Sequence, residues 1–392
     1  MFNVIWTSGR DLNAPKELNL LTRGALCFYF AITIFEPFLN GIIGSVTKYY
    51  IFVVMLLLLA SKPRLRFIQL QMIYVIWLVY KIVTLLWSTN YSTFYHHLVS
   101  QVGNVVFLFI LLGVYIDEKT MISIKWTYWI ASAVMGFLSL FFTTAFKVYE
   151  TNRQTLTILG VTNDPNDMAA FIMVAICISL DNLFFKKELR LLSAAILLIN
   201  IFACFKTGSR AGLVTLFVLA LVCIICSQKE AKISTKIRNI LLFILGVVAI
   251  YFIVIYFLPI SITQRLFNFE SYAGGSRRDI IWSNAWSVYT RDFLSIFFGV
   301  GWGTVSSVHN TFLAMLCNVG LCITLLFMIP IFRRFIWVIK RGEFFPGLLL
   351  IGEFIPSFFI EAINKRFFWN AIIILFLFSV NNYSRNMKMK KT

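Results

Sequence analysis

The sequence predicts an all-α protein that threads a membrane about twelve times, and three observations predict it. Hydrophobic residues make up 59% of the 392 residues and charged residues only 13%, whereas a soluble domain carries roughly a quarter charged residues. Mean hydropathy is +0.83. Apolar runs of roughly 18 residues or more recur from end to end, the length that carries a helix across the hydrocarbon core.

Taken in order, the expected spans fall at roughly 20–36, 40–60, 67–87, 98–116, 123–146, 167–185, 191–205, 211–226, 239–260, 309–331, 344–360 and 367–380. Residues 1–19 are polar and the first apolar run has span length, so no cleavable signal peptide is expected. With the N-terminus in the cytoplasm, roughly two thirds of the 35 Lys and Arg fall in cytoplasmic segments, which supports both termini inside. The net charge of +18 therefore reports topology and attraction to anionic membrane lipids rather than a nucleic-acid partner. Cys223 and Cys226 form a CxxC, but on an apolar helix, so the seven cysteines read as small apolar filler. The chain reads as one integral membrane domain, 1–392.

Most connections are short. The exception is the outer segment 261–308, "SITQRLFNFESYAGGSRRDIIWSNAWSVYTRDFLSIFFGVGWGTVSSV". Apolar residues at 280, 281, 285 and 288 have helical spacing, so short interfacial helices are expected there. A long loop on a rigid scaffold is where function tends to sit.

Three helix starts carry polar clusters, and the expected topology puts all three on the outer face. In "NDPNDMAAF", Asp164 can cap, Pro165 suits the first helical position and Asp167 suits the dipole. A well-capped span explains this as well as a sugar-binding rim of Asn163, Asp164, Asn166 and Asp167 does. In "KTGSRAG", Ser209 can cap, and Arg210 opposes the helix dipole. It either snorkels to lipid phosphate or, with the helix N-terminus, makes a phosphate site, which is the preferred reading. In "GVGWGTVSSVHNTFLAMLCNVG", Ser306 or Ser307 is the expected cap and His309 begins the helix. Arg277, Arg278 and Arg291 precede it. The dipole and the arginines favour a neutral imidazole, which can act as a general base. The alternative is an interfacial histidine that bonds the loop. The glycines are not a dinucleotide fingerprint, since no strand precedes them in a βαβ unit. Scattered carboxylates lack metal-ligand spacing, so neither a metal nor another cofactor is expected.

At these residues the chain resembles the O-antigen ligase and polymerase superfamily of bacterial envelope glycosyltransferases. The pieces are "NDPNDMAAF", "TGSRAG", "GGSRRDIIW" and "GVGWGTVSSVHNTFLAMLCNVG", in that family's order, over about 160 to 320. The resemblance implies a lipid-dependent glycosyltransferase fold. It also implies metal-independent, inverting transfer from an undecaprenyl-pyrophosphate-linked oligosaccharide at the periplasmic face of the bacterial inner membrane. Carried over, His309 is the catalytic base. Arg210 and Arg277 bind pyrophosphate, with Arg278 the alternative match to Arg277 and Arg291 a further candidate. Asn163, Asp164, Asn166 and Asn310 are the candidate glycan-binding groups. A repeat-unit polymerase is preferred, which admits a chain-length regulator as partner. A ligase acting on lipid A core is the alternative. A transporter or flippase is a third class, with Lys81, Glu353 and Glu36 as its few central ionisable residues, but the polar clusters gather at one face and no internal repeat is seen.

Overall fold

The computed structural model describes residues 17–61, 68–90, 92–148, 151–227, 233–267, 278–305 and 307–389. The chain is mostly helical. In order it forms α1 (Leu20–Ile34), α2 (Glu36–Ile43), α3 (Val46–Ala60), α4 (Gln69–Val83), α5 (Ser92–Gly113) and α6 (Glu118–Phe141). Three strands follow, β1 (Thr143–Val148), β2 (Thr151–Ile158) and β3 (Val161–Thr162). Then come α7 (Pro165–Asp181), α8 (Arg190–Lys206), α9 (Arg210–Ser227), α10 (Ile233–Phe257) and α11 (Ile260–Phe267). The chain closes with α12 (Arg278–Tyr289), α13 (Phe293–Phe298), α14 (Thr311–Lys340), α15 (Phe344–Phe354) and α16 (Arg366–Met389).

Among the described residues, five helices are long and apolar enough to cross a membrane: Gln69–Trp87, Glu118–Phe141, Pro165–Lys186, Arg210–Ser227 and Thr311–Lys340. The pair α1 and α2 makes a sixth if counted as one span, although an 87° bend separates the two. Two features differ from the sequence expectation. The first span ends where expected, at Ile34, but the expected span 40–60 is not one helix: α2 starts at once at Glu36 and gives way to α3 at Gly44–Ser45. The expected span 123–146 ends early, at Phe141, and the stretch from there to 164 is an antiparallel sheet of order β1-β2-β3, with Thr143 opposite Leu156 and Val148 opposite Thr151. Threonine is the commonest residue of β1 and β2, and β-branched residues pack well on a pleated surface. In 261–308, α11, α12 and α13 occupy positions where short helices were expected, and α12 covers the stretch read as helical.

Contacts divide the chain into two units: 1–128 with 278–350 and 357–392, and 129–277 with 351–356. In the first, α14 packs against α4 and α16. Trp77, Phe327 and Trp369 meet there, with Trp77 and Phe327 centroids 4.9 Å apart and Phe327 and Trp369 centroids 5.8 Å apart. Pro330 lies inside α14, and the nearby Phe327 carbonyl accepts from the Tyr74 hydroxyl at 3.1 Å. At the α1–α2 bend, Glu36 accepts from Arg366 Nε at 2.7 Å and from Thr47 Oγ1 at 2.6 Å. Arg366 is buried, and a charge so placed must be paired.

In the second unit α7 is the central helix. Of its apolar window 83% is buried, against 28% for α9. A helix apolar all round belongs inside a bundle. Ser132 of α6 donates to the Phe171 carbonyl at 2.6 Å and accepts from the Ala175 N–H at 2.8 Å. The Trp129 indole donates to Ser179 at 2.9 Å. β2 lies against α7, α8 and α11, which brings a strand residue to the start of α9.

Candidate functional site

The second unit builds an arginine cluster around the turn "TGS" between α8 and α9. Gly208 has φ +62°, a left-handed conformation that glycine adopts without strain. The Ser209 hydroxyl accepts from the Gly212 N–H at 3.3 Å and so caps α9, as its sequence position suggested. That hydroxyl also donates to Asn166 Oδ1 at 3.1 Å. Arg153, from β2, donates from Nη2 to the same Asn166 oxygen at 2.9 Å and from Nε to the Thr207 carbonyl at 3.2 Å. Arg265, in α11, donates from Nε to the Gly208 carbonyl at 3.1 Å. Arg210 donates from Nε to the Arg265 carbonyl at 2.8 Å. Three guanidiniums thus flank one helix start, each with its plane set by a bond from Nε to a backbone carbonyl.

At the start of α7, Asp164 accepts from the Asn166 N–H at 2.7 Å and Pro165 follows at the first helical position. Asn163 is buried; its Oδ1 accepts from the Asp164 N–H at 2.8 Å, and its carbonyl accepts from Thr155 at 2.8 Å. Thr155 and Arg153 lie two apart on β2, hence on one face of the strand. Nδ2 of Asn163 has no partner among the described residues. A helix N-terminus with oriented guanidiniums is anion-binding chemistry, and the Asn163 amide adds a donor.

The first unit holds the glycine stretch and the histidine. The Val300 N–H donates to the Cys317 carbonyl at 2.7 Å, and the Gly303 N–H donates to Asn318 Oδ1 at 3.3 Å. The Trp302 N–H donates to Thr84 at 3.0 Å, and Ser88 donates to the Trp302 carbonyl at 2.6 Å. The glycines therefore serve close packing against α14 and the end of α4. His309 is exposed and has φ +52°. It does not begin the helix. Asn310 takes the cap, its Oδ1 accepting from Phe312 and Leu313 N–H groups, both at 3.0 Å, and α14 starts at Thr311. Ser307 also has positive φ, while Ser306 lies outside the described residues. The physical reason is conformational: a left-handed residue cannot be a first helical residue, and an extended Asn can cap.

The remaining candidates are dispersed. Arg278 opens α12, and Arg291 follows its far end, so a helix about 18 Å long separates them. Arg291 is exposed and bonds Asp292 at 2.9 Å and Ser295 at 3.1 Å. The Ser295 N–H and hydroxyl, with Arg291, hold the Asp292 carboxyl below the usual range. Arg277 lies outside the described residues. Of the sequence candidates, Asn163, Asp164, Asn166 and Arg210 come together in the second unit, and His309 and Asn310 stand in the first. Arg153 and Arg265 were not foreseen. The alternation in "TNRQTLTI" would have flagged a strand around Arg153; nothing local marks Arg265.

No family model, no curated protein and no solved structure matches this chain.

Proposed function

We propose that this protein is a membrane-embedded polysaccharide polymerase of the O-antigen type. It moves a growing glycan from undecaprenyl pyrophosphate onto a fresh lipid-linked repeat unit. The chain crosses the bacterial inner membrane about twelve times with both termini in the cytoplasm, and the chemistry runs on the periplasmic face, where 261–308 is the large loop. The observation that carries this reading is the arginine cluster at the start of α9, at the end of an apolar helix bundle. A lipid-borne pyrophosphate matches both parts, since guanidinium forks suit phosphate and apolar helices suit a polyprenyl tail.

The transfer balances as follows. The acceptor hydroxyl oxygen bonds to the anomeric carbon, and the anomeric C–O bond to pyrophosphate breaks with inversion. The leaving pyrophosphate keeps the electron pair, and Arg210, Arg153 and Arg265 stabilise its charge, with Arg277 or Arg278 as further partners. His309 accepts the hydroxyl proton. Asn163 and Asn166 line the donor side.

Purified protein in nanodiscs, given only lipid-linked repeat units, is expected to produce a length ladder, and His309→Ala is expected to abolish it while the protein stays in the membrane. No ladder from the wild type, with transfer only after lipid A core is added, would move the assignment to a ligase. A ladder undiminished in His309→Ala would remove the base.

A further inference from the structure

A buried polar cluster between α5 and the start of α16, all within the first unit, is used by neither the sequence motifs nor the transfer chemistry. Gln101 and Asn104 lie three apart on α5, hence as neighbours on one face of that helix. They are 0% and 1% exposed. Gln101 donates from Nε2 to Asn364 Oδ1, and the Asn364 carbonyl accepts from Ser100 at 3.1 Å. Arg366 donates from Nη1 to Asn104 Oδ1 at 3.5 Å and from Nε to Glu36 at 2.7 Å. A guanidinium only donates, so it fixes which end of the Asn104 amide faces it. Each amide on α5 therefore has one end bound and one end over. Gln101 Oε1, an acceptor, and Asn104 Nδ2, a donor, have no partner among the described residues.

Such groups are rare in a folded chain, because a buried polar atom without a partner carries the full cost of desolvation. Asn370, one turn after Arg366, shows the ordinary case: its Oδ1 accepts from Tyr29 at 3.3 Å and its Nδ2 donates to Thr33 at 2.9 Å. The charges beside α5 cancel, since Arg366 and Glu36 hold each other. What the two open ends can bind is set by their polarity. A phosphate can accept from Asn104 but has no proton to give Gln101, and a cation meets the reverse difficulty. A hydroxyl accepts from one and donates to the other. The segment that carries Asn364 also reaches the start of α14, where Thr311 Oγ1 donates to the Ile360 carbonyl at 2.8 Å and accepts from the Ala362 N–H at 2.7 Å. Thr311 follows the Asn310 cap, so one short segment links the cluster to the helix that starts just after His309.

We propose that Gln101 and Asn104, with Asn364 beside them, form a subsite for a hydroxyl group of a saccharide. That this saccharide is the acceptor repeat unit rests on the glycosyl-transfer reading, whereas the preference for a neutral hydroxyl rests on the two amides alone.

Full-length protein in nanodiscs is titrated with the repeat-unit oligosaccharide freed of its lipid and pyrophosphate, with binding read by saturation-transfer NMR and stability by the melting midpoint. Gln101→Met takes away the open acceptor. Asn104→Asp keeps the oxygen for Arg366 and takes away the open donor. Each variant is expected to weaken oligosaccharide binding by about tenfold or more. Each is also expected to melt at or above the wild-type midpoint, because groups held open for a ligand add nothing to the fold. In the polymer assay both are expected to raise KM for the lipid-linked unit by about the same factor. Inorganic pyrophosphate is expected not to displace the oligosaccharide from the wild type, and displacement overturns the assignment to a neutral ligand. Wild-type binding in either variant, or no binding by the wild type, overturns the subsite. A lowered midpoint in both variants overturns it too, because the amides then serve the fold. If the wild type binds the oligosaccharide and both variants weaken it, yet no polymer forms, the transferase reading fails and the subsite stands. Polymer formed with wild-type KM in both variants keeps the transferase reading and removes the subsite.

Discussion

Arg153, Arg210 and Arg265 share one arrangement: Nε is spent on a backbone carbonyl. That bond orients the plane of the guanidinium, and a lysine cannot reproduce it, because an ammonium is a point charge on a flexible stem. Arg210→Lys and Arg153→Lys are therefore each expected to lower polymer yield by roughly tenfold or more with normal membrane levels, measured as ladder intensity per protein. Full yield in both would count against pyrophosphate binding here. Asp117 makes a different point. It accepts from the Thr120 N–H at 2.8 Å, the Thr120 hydroxyl at 2.7 Å and the Leu18 N–H at 3.2 Å, with Arg23 at 3.7 Å. Burial pushes its carboxyl up, but these partners outweigh it and hold it below the usual range. A depressed value means the stabilisation is complete above the unfolded value near pH 4, by about the ordinary carboxyl figure, and is lost as pH falls through the folded value. Asp117→Asn is expected to destabilise by about 1–2 kcal/mol at neutral pH, and the gap in detergent melting midpoints should close on acidification. A gap that is constant with pH would assign the effect to packing. Arg210 and Ser209 were legible because a cap and a cation at a helix start are local features. Arg153 was not, since its partners at 166 and 207 are distant in sequence.

Among the elements, the passage from α13 into α14 is the most constrained. Gly320 has φ +74° and ψ 177° and interrupts α14, and a Cβ there would overlap the Phe297 carbonyl. The close approach of the glycine stretch to α14 explains both. Gly320→Ala is expected to cost several kcal/mol, about the upper range for a strained and overpacked site, and to leave little protein monodisperse in detergent. A variant that purifies and melts like the wild type would show that the backbone relaxes. The "GVGWG" stretch is thus a packing device, and its role is tertiary. The same holds for the three-stranded sheet. Its threonine-rich pattern is a weak local signal beside the strong helical hydropathy on both sides. The helix starts at Asp164 and Ser209 were read correctly, because capping depends on neighbours one to three residues away. At His309 the same logic placed the cap too early, because Ser307 and His309 have positive φ and the extended residue that caps α14 is Asn310.

For the whole molecule, the apolar surface is the informative quantity. Large hydrophobic side chains are exposed along α10, among them Leu241, Leu245, Phe252 and Tyr256, a surface that carries no penalty in lipid. The proposed topology makes a direct expectation: alkaline phosphatase fused after Phe267 should be active, and fused to the C-terminus inactive, with fluorescent protein fusions showing the opposite. Active phosphatase at the C-terminus would invert the orientation and move the arginine cluster to the cytoplasm. Composition and hydropathy alone determined that the chain is mostly helical with helices long and apolar enough to cross a membrane, because transfer into lipid sums over residues without regard to their partners. They also located the helix starts where polar groups gather. Only the tertiary structure decided that Arg153 and Arg265 join Arg210 around one turn, and that Asn310 rather than a serine caps α14. The arginine contacts join residues far apart in the chain and depend on how helices pack, which a one-dimensional pattern does not encode, and the cap at Asn310 depends on a backbone conformation at 307–310 that residue type alone does not fix.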